Sequence, residues 1–145
     1  MLPTVPTVIT FISCMPFVVL SLFIAMDVAD IPNILELLTT YAAIILSFLA
    51  GIKWGMAVDH QDVHDQLADR LCLISTAMLI PTWVVLFIPD PLSQLLCLTL
   101  LFTIAWGIDS MLHDDRIIPL WFFTLRSIVT PIVIVSLYVS YFSII

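Results

Sequence analysis

The chain has 145 residues, of which 62% are hydrophobic and 10% charged, with a formal net charge of −7. Soluble domains carry about 25% charged residues, and disordered chains lack apolar residues to bury, so this composition excludes both classes. Four Lys and Arg against eleven Asp and Glu also exclude a nucleic-acid partner, which needs clustered cations to neutralise phosphates, and a polybasic lipid-recruitment segment.

What remains is an integral membrane protein, its length divided into bilayer-spanning runs. No charge occurs between Met1 and Met26, and the first basic residue is Lys53. Without a cationic n-region the first run is expected to be retained as a span, over about 6–26. A polar interval with Asp27, Asp30, Pro32 and Glu36 follows. The second run, 37–58, is roughly 33 Å long as a helix and carries one charge, Lys53. An acidic connector over 59–70 leads to the third run, 71–88, which Pro89-Asp90-Pro91 breaks because proline cannot continue a helix. The fourth run, 92–109, is short and ends at Asp109; after a loop over 110–119 the fifth covers 120–143. Continuous rather than alternating apolar runs predict helices, not barrel strands. The expected fold is all-α, a polytopic bundle of five transmembrane helices forming a single membrane domain over 1–145.

Five crossings put the N-terminus, the 59–70 connector and the 110–119 loop on one side. Lys53, Arg70, Arg116 and Arg126 all belong to or lie near that side, which the positive-inside rule makes cytoplasmic. The expected membrane is the bacterial cytoplasmic (inner) membrane, with the mitochondrial inner membrane as the alternative. Three cysteines, Cys14, Cys72 and Cys97, lie in apolar runs without a CxxC pair and read as packing residues.

In the second span Ala43, Ser47, Gly51 and Gly55 recur every four residues, a stripe of small side chains that lets another helix approach closely. It reads first as packing within the monomer and second as a seam between copies. Lys53 falls off the stripe, on a face with Leu49, Met56 and His60, so its ammonium is expected to point away from the tight contact. Pro16, Pro81 and Pro131 each free the carbonyl four residues earlier; membrane helices tolerate such breaks, and hinges or an ion path are the alternative.

The run Tyr41-Ala-Ala-Ile-Ile-Leu-Ser-Phe-Leu-Ala-Gly-Ile-Lys-Trp-Gly55 resembles the signature of the domain of unknown function 3429 family, which takes in transmembrane protein 69-like membrane proteins. Family members usually have glycine where Ala50 stands and histidine where Lys53 stands. Met15-Pro16-Phe17, Pro81-Thr82-Trp83, Asp109, and Trp121, Leu125, Arg126 and Thr130 are similar to further family positions. The resemblance spans nearly the whole chain. It implies a small multi-span membrane protein of bacteria and mitochondria, without an established activity. Lysine at position 53 argues against a role there that needs a neutral imidazole, such as ligating haem or metal.

Lys53, Asp109 and Arg126 are the ionisable residues closest to the apolar spans, and all three should lie at similar depth near the cytoplasmic interface. Charges inside a bilayer are costly unless paired or wetted. Together with Thr130, Trp54 and Trp121 they form the candidate polar site, with Trp106 at the same level. Asp109 and Arg126 flank one hairpin and are expected to form a structural ion pair; snorkelling to water and a ligand or proton site are the alternatives. His60 and His64, four apart, can share an ion if their segment is helical, but a solvated acidic loop is the default, and no metal or other cofactor is expected. His113 with Asp114 and Asp115 is a weaker cluster still. No catalytic arrangement or phosphate loop is legible.

These features predict a non-enzymatic packing or assembly component of a membrane complex. Its expected surroundings are the lipid bilayer and a membrane-protein partner or second copy. The alternative is a small-molecule, lipid or quinone binder, or a proton-linked carrier, with its polar site at the cytoplasmic end.

Overall fold

The computed structural model describes residues 1–28, 33–62 and 65–145. Among them are five α-helices, each long and apolar enough to cross a membrane: α1 (Thr4–Ala25), α2 (Ile34–His60), α3 (Asp65–Val85), α4 (Pro91–Asp114) and α5 (Leu120–Ile144). The chain is a five-helix membrane bundle, as its composition requires.

The helices start and stop where local chemistry dictates. At the N-terminus of α4 the Asp90 carboxylate accepts from the Ser93 N–H at 2.9 Å, and Pro91 occupies the first turn, where a missing N–H costs nothing. Both α1 and α4 end in a left-handed residue, Asp27 at φ 49° and Arg116 at φ 59°. In each case the following N–H reaches back to a carbonyl five residues earlier, Val28 to Phe23 at 3.1 Å and Ile117 to Leu112 at 2.9 Å. That pattern satisfies the last carbonyls of a helix, normally with glycine at the left-handed position.

Two helices outrun their hydropathy. α3 begins at Asp65, six residues before its apolar run, because Gln66 to Arg70 contains no breaker and an acidic first turn suits a helix N-terminus. α4 continues past Asp109 to Asp114, since Ser110 to Asp114 offers nothing to stop it before the left-handed turn at Arg116. Asp109 is therefore an interior residue of α4 and not its end.

Around the bundle α1 packs on α2, α2 on α3, α3 on α4, α4 on α5 and α5 back on α1, with α2 also touching α4 across the middle. The core is built from Phe17, Leu38, Leu46, Leu95, Leu98, Phe102 and Leu137, all at or below 1% exposure. A smaller cluster of Ala57, Ala68, Leu71, Leu112 and Ile118 closes the end that carries the 115–119 loop. Large apolar side chains such as Phe48, Leu73, Leu100 and Phe142 face outward, which in water would be a liability and in lipid is the required surface.

The small-residue stripe of α2 divides. Ala43 is buried and Ser47 half-buried, but Gly51 and Gly55 are exposed, and a Cβ built on either meets nothing within 4 Å. The close approach to α3 runs instead through Ala50 and Ala57, seven apart, where the Ser75 hydroxyl donates to the Ala50 carbonyl at 2.7 Å. A four-residue repeat drifts around a 3.6-residue helix, whereas a seven-residue repeat stays on the face of a shallowly crossing neighbour.

α1 is the least embedded helix. Its buried residues, Cys14, Phe17 and Ser21, all lie from its middle onward. There the Tyr41 hydroxyl donates to the Ser13 carbonyl at 2.7 Å, and Phe17 meets the rings of Tyr41 and Phe102 edge-on at 5.1 and 5.7 Å. Cys14 marks the boundary, and no residue before it is buried. The cysteines are all free, Cys14 buried and the other two half-buried.

Candidate functional site

Lys53 lies seven residues before the end of α2, Asp109 five before the end of α4, and Arg126 six after the start of α5. At about 1.5 Å per residue each sits roughly 8 to 11 Å from the helix end on the side of the 115–119 loop, so the three share one level. The α2–α4 and α4–α5 contacts bring them together. Asp109 is fully buried and uses both oxygens: Oδ2 accepts from Arg126 Nε at 2.8 Å, and Oδ1 accepts from Lys53 Nζ. Lys53 is itself 0% exposed and Arg126 7% exposed.

The expected Asp109–Arg126 pair is thus present, enlarged to a triad. Lys53 does point away from Gly51 and Gly55, but into the α2–α4 contact, so lysine takes part in the interior rather than avoiding it. One carboxylate serves two cations, which leaves the buried cluster formally +1. Arg126 Nη2 is buried and has no hydrogen-bond partner among the described residues, and the same holds for the Thr130 hydroxyl one turn further along α5. Buried polar atoms normally find partners, so two together mark a site with unspent donors.

Arg126 also forms part of the wall of a cavity of about 400 Å³ between α1, α2 and α5. On α1 Ile9 and Ser13 make one side, α2 contributes Phe48 and Leu49, and α5 contributes Trp121, Val129 and Val133. Phe17 and Phe102 also line it. Arg126 is the one charged residue among its described lining residues. The cavity exists because α2 and α5 do not pack together and α1 spans the gap without filling it. Val5, Ile9 and Phe48 line it and are also exposed on the outside of the bundle, so it opens toward the bilayer.

The other candidate residues fall in different places. Trp121 is half-buried on the cavity, while Trp54 is 52% exposed and faces outward. Trp106 donates to the Ser127 hydroxyl at 3.1 Å and stacks on Phe123. The His60 and His113 rings each engage a backbone carbonyl, of Met56 at 2.8 Å and Ile118 at 3.2 Å. His64 lies outside the described residues, and no cluster able to hold a metal occurs among those described. Near the same end Arg70 pairs with Asp115 at 3.1 Å, half-exposed, tying α3 to the 115–119 loop.

A sequence reading could place the three charges at one depth but could not find the cavity or its α1 wall. Lipid-facing and cavity-facing positions are equally apolar there, so no periodic signal separates them.

A family model described as "Protein of unknown function (DUF3429)" matches residues 2–142. Transmembrane protein 69 of Xenopus tropicalis is 29% identical over 127 residues, covering 84% of this chain and 47% of that relative. The chain therefore spans about half the length of the curated relative it matches. No solved structure matches.

Proposed function

We propose, starting from a chain that belongs to the DUF3429 family and forms a five-helix membrane bundle, that it is a non-enzymatic binder of an amphipathic small molecule or lipid within the bilayer. The observation that carries this reading is Arg126, whose buried Nη2 has no partner among the described residues, in the wall of a largely apolar cavity that opens toward lipid. Binding sites for small molecules have this character, about 300–1,000 Å³, mostly apolar, with few polar groups to orient the ligand. The sequence ranks assembly ahead of binding; we place binding first on the support of the cavity. Native mass spectrometry after extraction in mild detergent tests it. Wild-type protein is expected to carry a small molecule or lipid that Val133→Phe, which fills the cavity away from the charges, no longer retains. A wild-type protein that carries none, and whose melting temperature no added lipid shifts, overturns the reading.

A second reading, a packing or assembly component of a membrane complex, is favoured by the open Gly51–Gly55 surface of α2. A protein that sizes strictly as a monomer with no co-purifying partner counts against it. For the setting we propose the bacterial cytoplasmic membrane with the N-terminus inside, on the grounds that all four basic residues gather toward that end. A C-terminal periplasmic reporter fusion is then active, and an inactive one reverses the orientation.

A further inference from the structure

We infer that the cavity takes an anionic amphiphile, with a carboxylate or phosphate headgroup on Arg126 and its apolar chain along α1 and α5; this rests on the binder reading above. The charge count points to the sign. Lys53 and Arg126 share Asp109, so among the described residues of this cluster one negative charge faces two positive ones. An unbalanced charge away from water is costly unless a counter-charge reaches it. The guanidinium spends Nε on Asp109 and keeps Nη2 buried without a partner among the described residues. Its planar fork of donors matches the geometry of a carboxylate or a phosphate.

The surroundings point to a chain. Along α5 the cavity is lined from Trp121 through Arg126 and Val129 to Val133, with no other charge among its described lining residues. A small free anion would leave that apolar length unused. A neutral amphiphile would fill it but leave the cluster at +1, and a cationic one would add like charge. Entry from the bilayer lies past Val5, Ile9 and Phe48, where the wall is exposed.

The experiment measures binding to purified protein in mild non-ionic detergent, by native mass spectrometry and by thermal shift. The probes are oleate, lysophosphatidate with an oleoyl chain, the neutral monoolein, and inorganic phosphate alone. Oleate or lysophosphatidate is expected to bind at least about tenfold tighter than monoolein, a factor that corresponds to about 1.4 kcal/mol. The preferred member of the two identifies the headgroup as carboxylate or phosphate. Arg126→Gln leaves a balanced Lys53–Asp109 pair to hold the fold and is expected to bring anionic and neutral chains to parity. Val133→Phe is expected to weaken all the chains. Equal binding of oleate, lysophosphatidate and monoolein by wild type, lost in Val133→Phe, overturns the charge inference while the binder reading stands. Failure of every chain overturns both. Inorganic phosphate shifting the melting temperature as far as the chained acids overturns the amphiphile and leaves an anion site.

Discussion

Asp109 on α4 accepts from Arg126 on α5 at 2.8 Å across seventeen residues, with Lys53 of α2 on its other oxygen. Removing the shared carboxylate strands two cations, whereas removing Lys53 leaves a balanced pair. Asp109→Asn is therefore expected to destabilise by about 3–5 kcal/mol, the range for breaking a buried pair, and Lys53→Met by much less. The triad also predicts how a charge exchange behaves. Exchanging Asp109 and Arg126 alone puts arginine beside Lys53 and is expected to fail as a rescue. Adding Lys53→Glu to the exchange restores alternation and should recover most of the loss. Thermal melting in detergent reads all four proteins, and full recovery by the two-residue exchange would show that Lys53 is no part of the cluster.

The α2–α3 contact makes a prediction of opposite sign for neighbouring small residues. Ala57 is fully buried against Ala68 and Leu71, so Ala57→Leu overpacks the contact and is expected to cost about 1–3 kcal/mol. Gly51→Ala places a methyl where nothing lies within 4 Å and removes a poor helix former, so stability should hold or rise by up to about 1 kcal/mol. If Gly51→Ala also keeps the melting temperature but lowers the size in native detergent, the open face is in use by another helix.

Much of this was legible from residues alone. Five helices long and apolar enough to span were legible, because a bilayer demands long apolar runs without interruption. Equal depths of Lys53, Asp109 and Arg126 followed from their distances to the span ends. The partnership of Lys53 did not, since helix periodicity gives the face of a side chain but not the helix opposite it. Helix extents also escaped at Asp65 and Asp114, because hydropathy reports the thickness of the lipid and not the reach of the hydrogen-bond ladder. The Ala50–Ala57 contact hid behind the more conspicuous glycines for a related reason: alanine in an apolar run is compositionally silent.

α1 should be held in halves of unequal firmness. The Tyr41 hydroxyl bond to the Ser13 carbonyl and the Phe17 rings fix the second half, while no residue before Cys14 is buried. Tyr41→Phe removes that one bond and is expected to cost about 1 kcal/mol, the usual net worth of a hydrogen bond. Hydrogen exchange by mass spectrometry should show Val5 to Ser13 exchanging faster than Phe17 to Phe23 in wild type, and Tyr41→Phe should extend the fast region beyond Pro16. Uniform protection along α1 would remove the distinction between the halves, and with it the route by which an amphiphile enters.

Acid acts at the opposite end of the bundle, on the cap of α4. The Ser93 hydroxyl, then the Ser93 N–H, donate to the Asp90 carboxylate and hold its pKa below the ordinary aspartate value of 3.8. A carboxylate with a depressed pKa in the folded state contributes stability that is complete above the unfolded value. That contribution is lost as pH falls through the folded value. The cap should therefore be unaffected between about pH 7 and pH 5 and weaken only below about pH 4, since the unfolded aspartate titrates near there. Asp90 is fully exposed, so the effect is local, and the Ser93 amide resonance is its reporter. In wild type that resonance should move with a midpoint below the usual carboxylate range. Asp90→Asn, which retains an acceptor but cannot titrate, should flatten the profile, and Ser93→Ala should raise the midpoint of the Asp90 carboxyl toward its ordinary value. A midpoint at or above the ordinary value in wild type would mean that the cap hydrogen bonds do not hold the charged form.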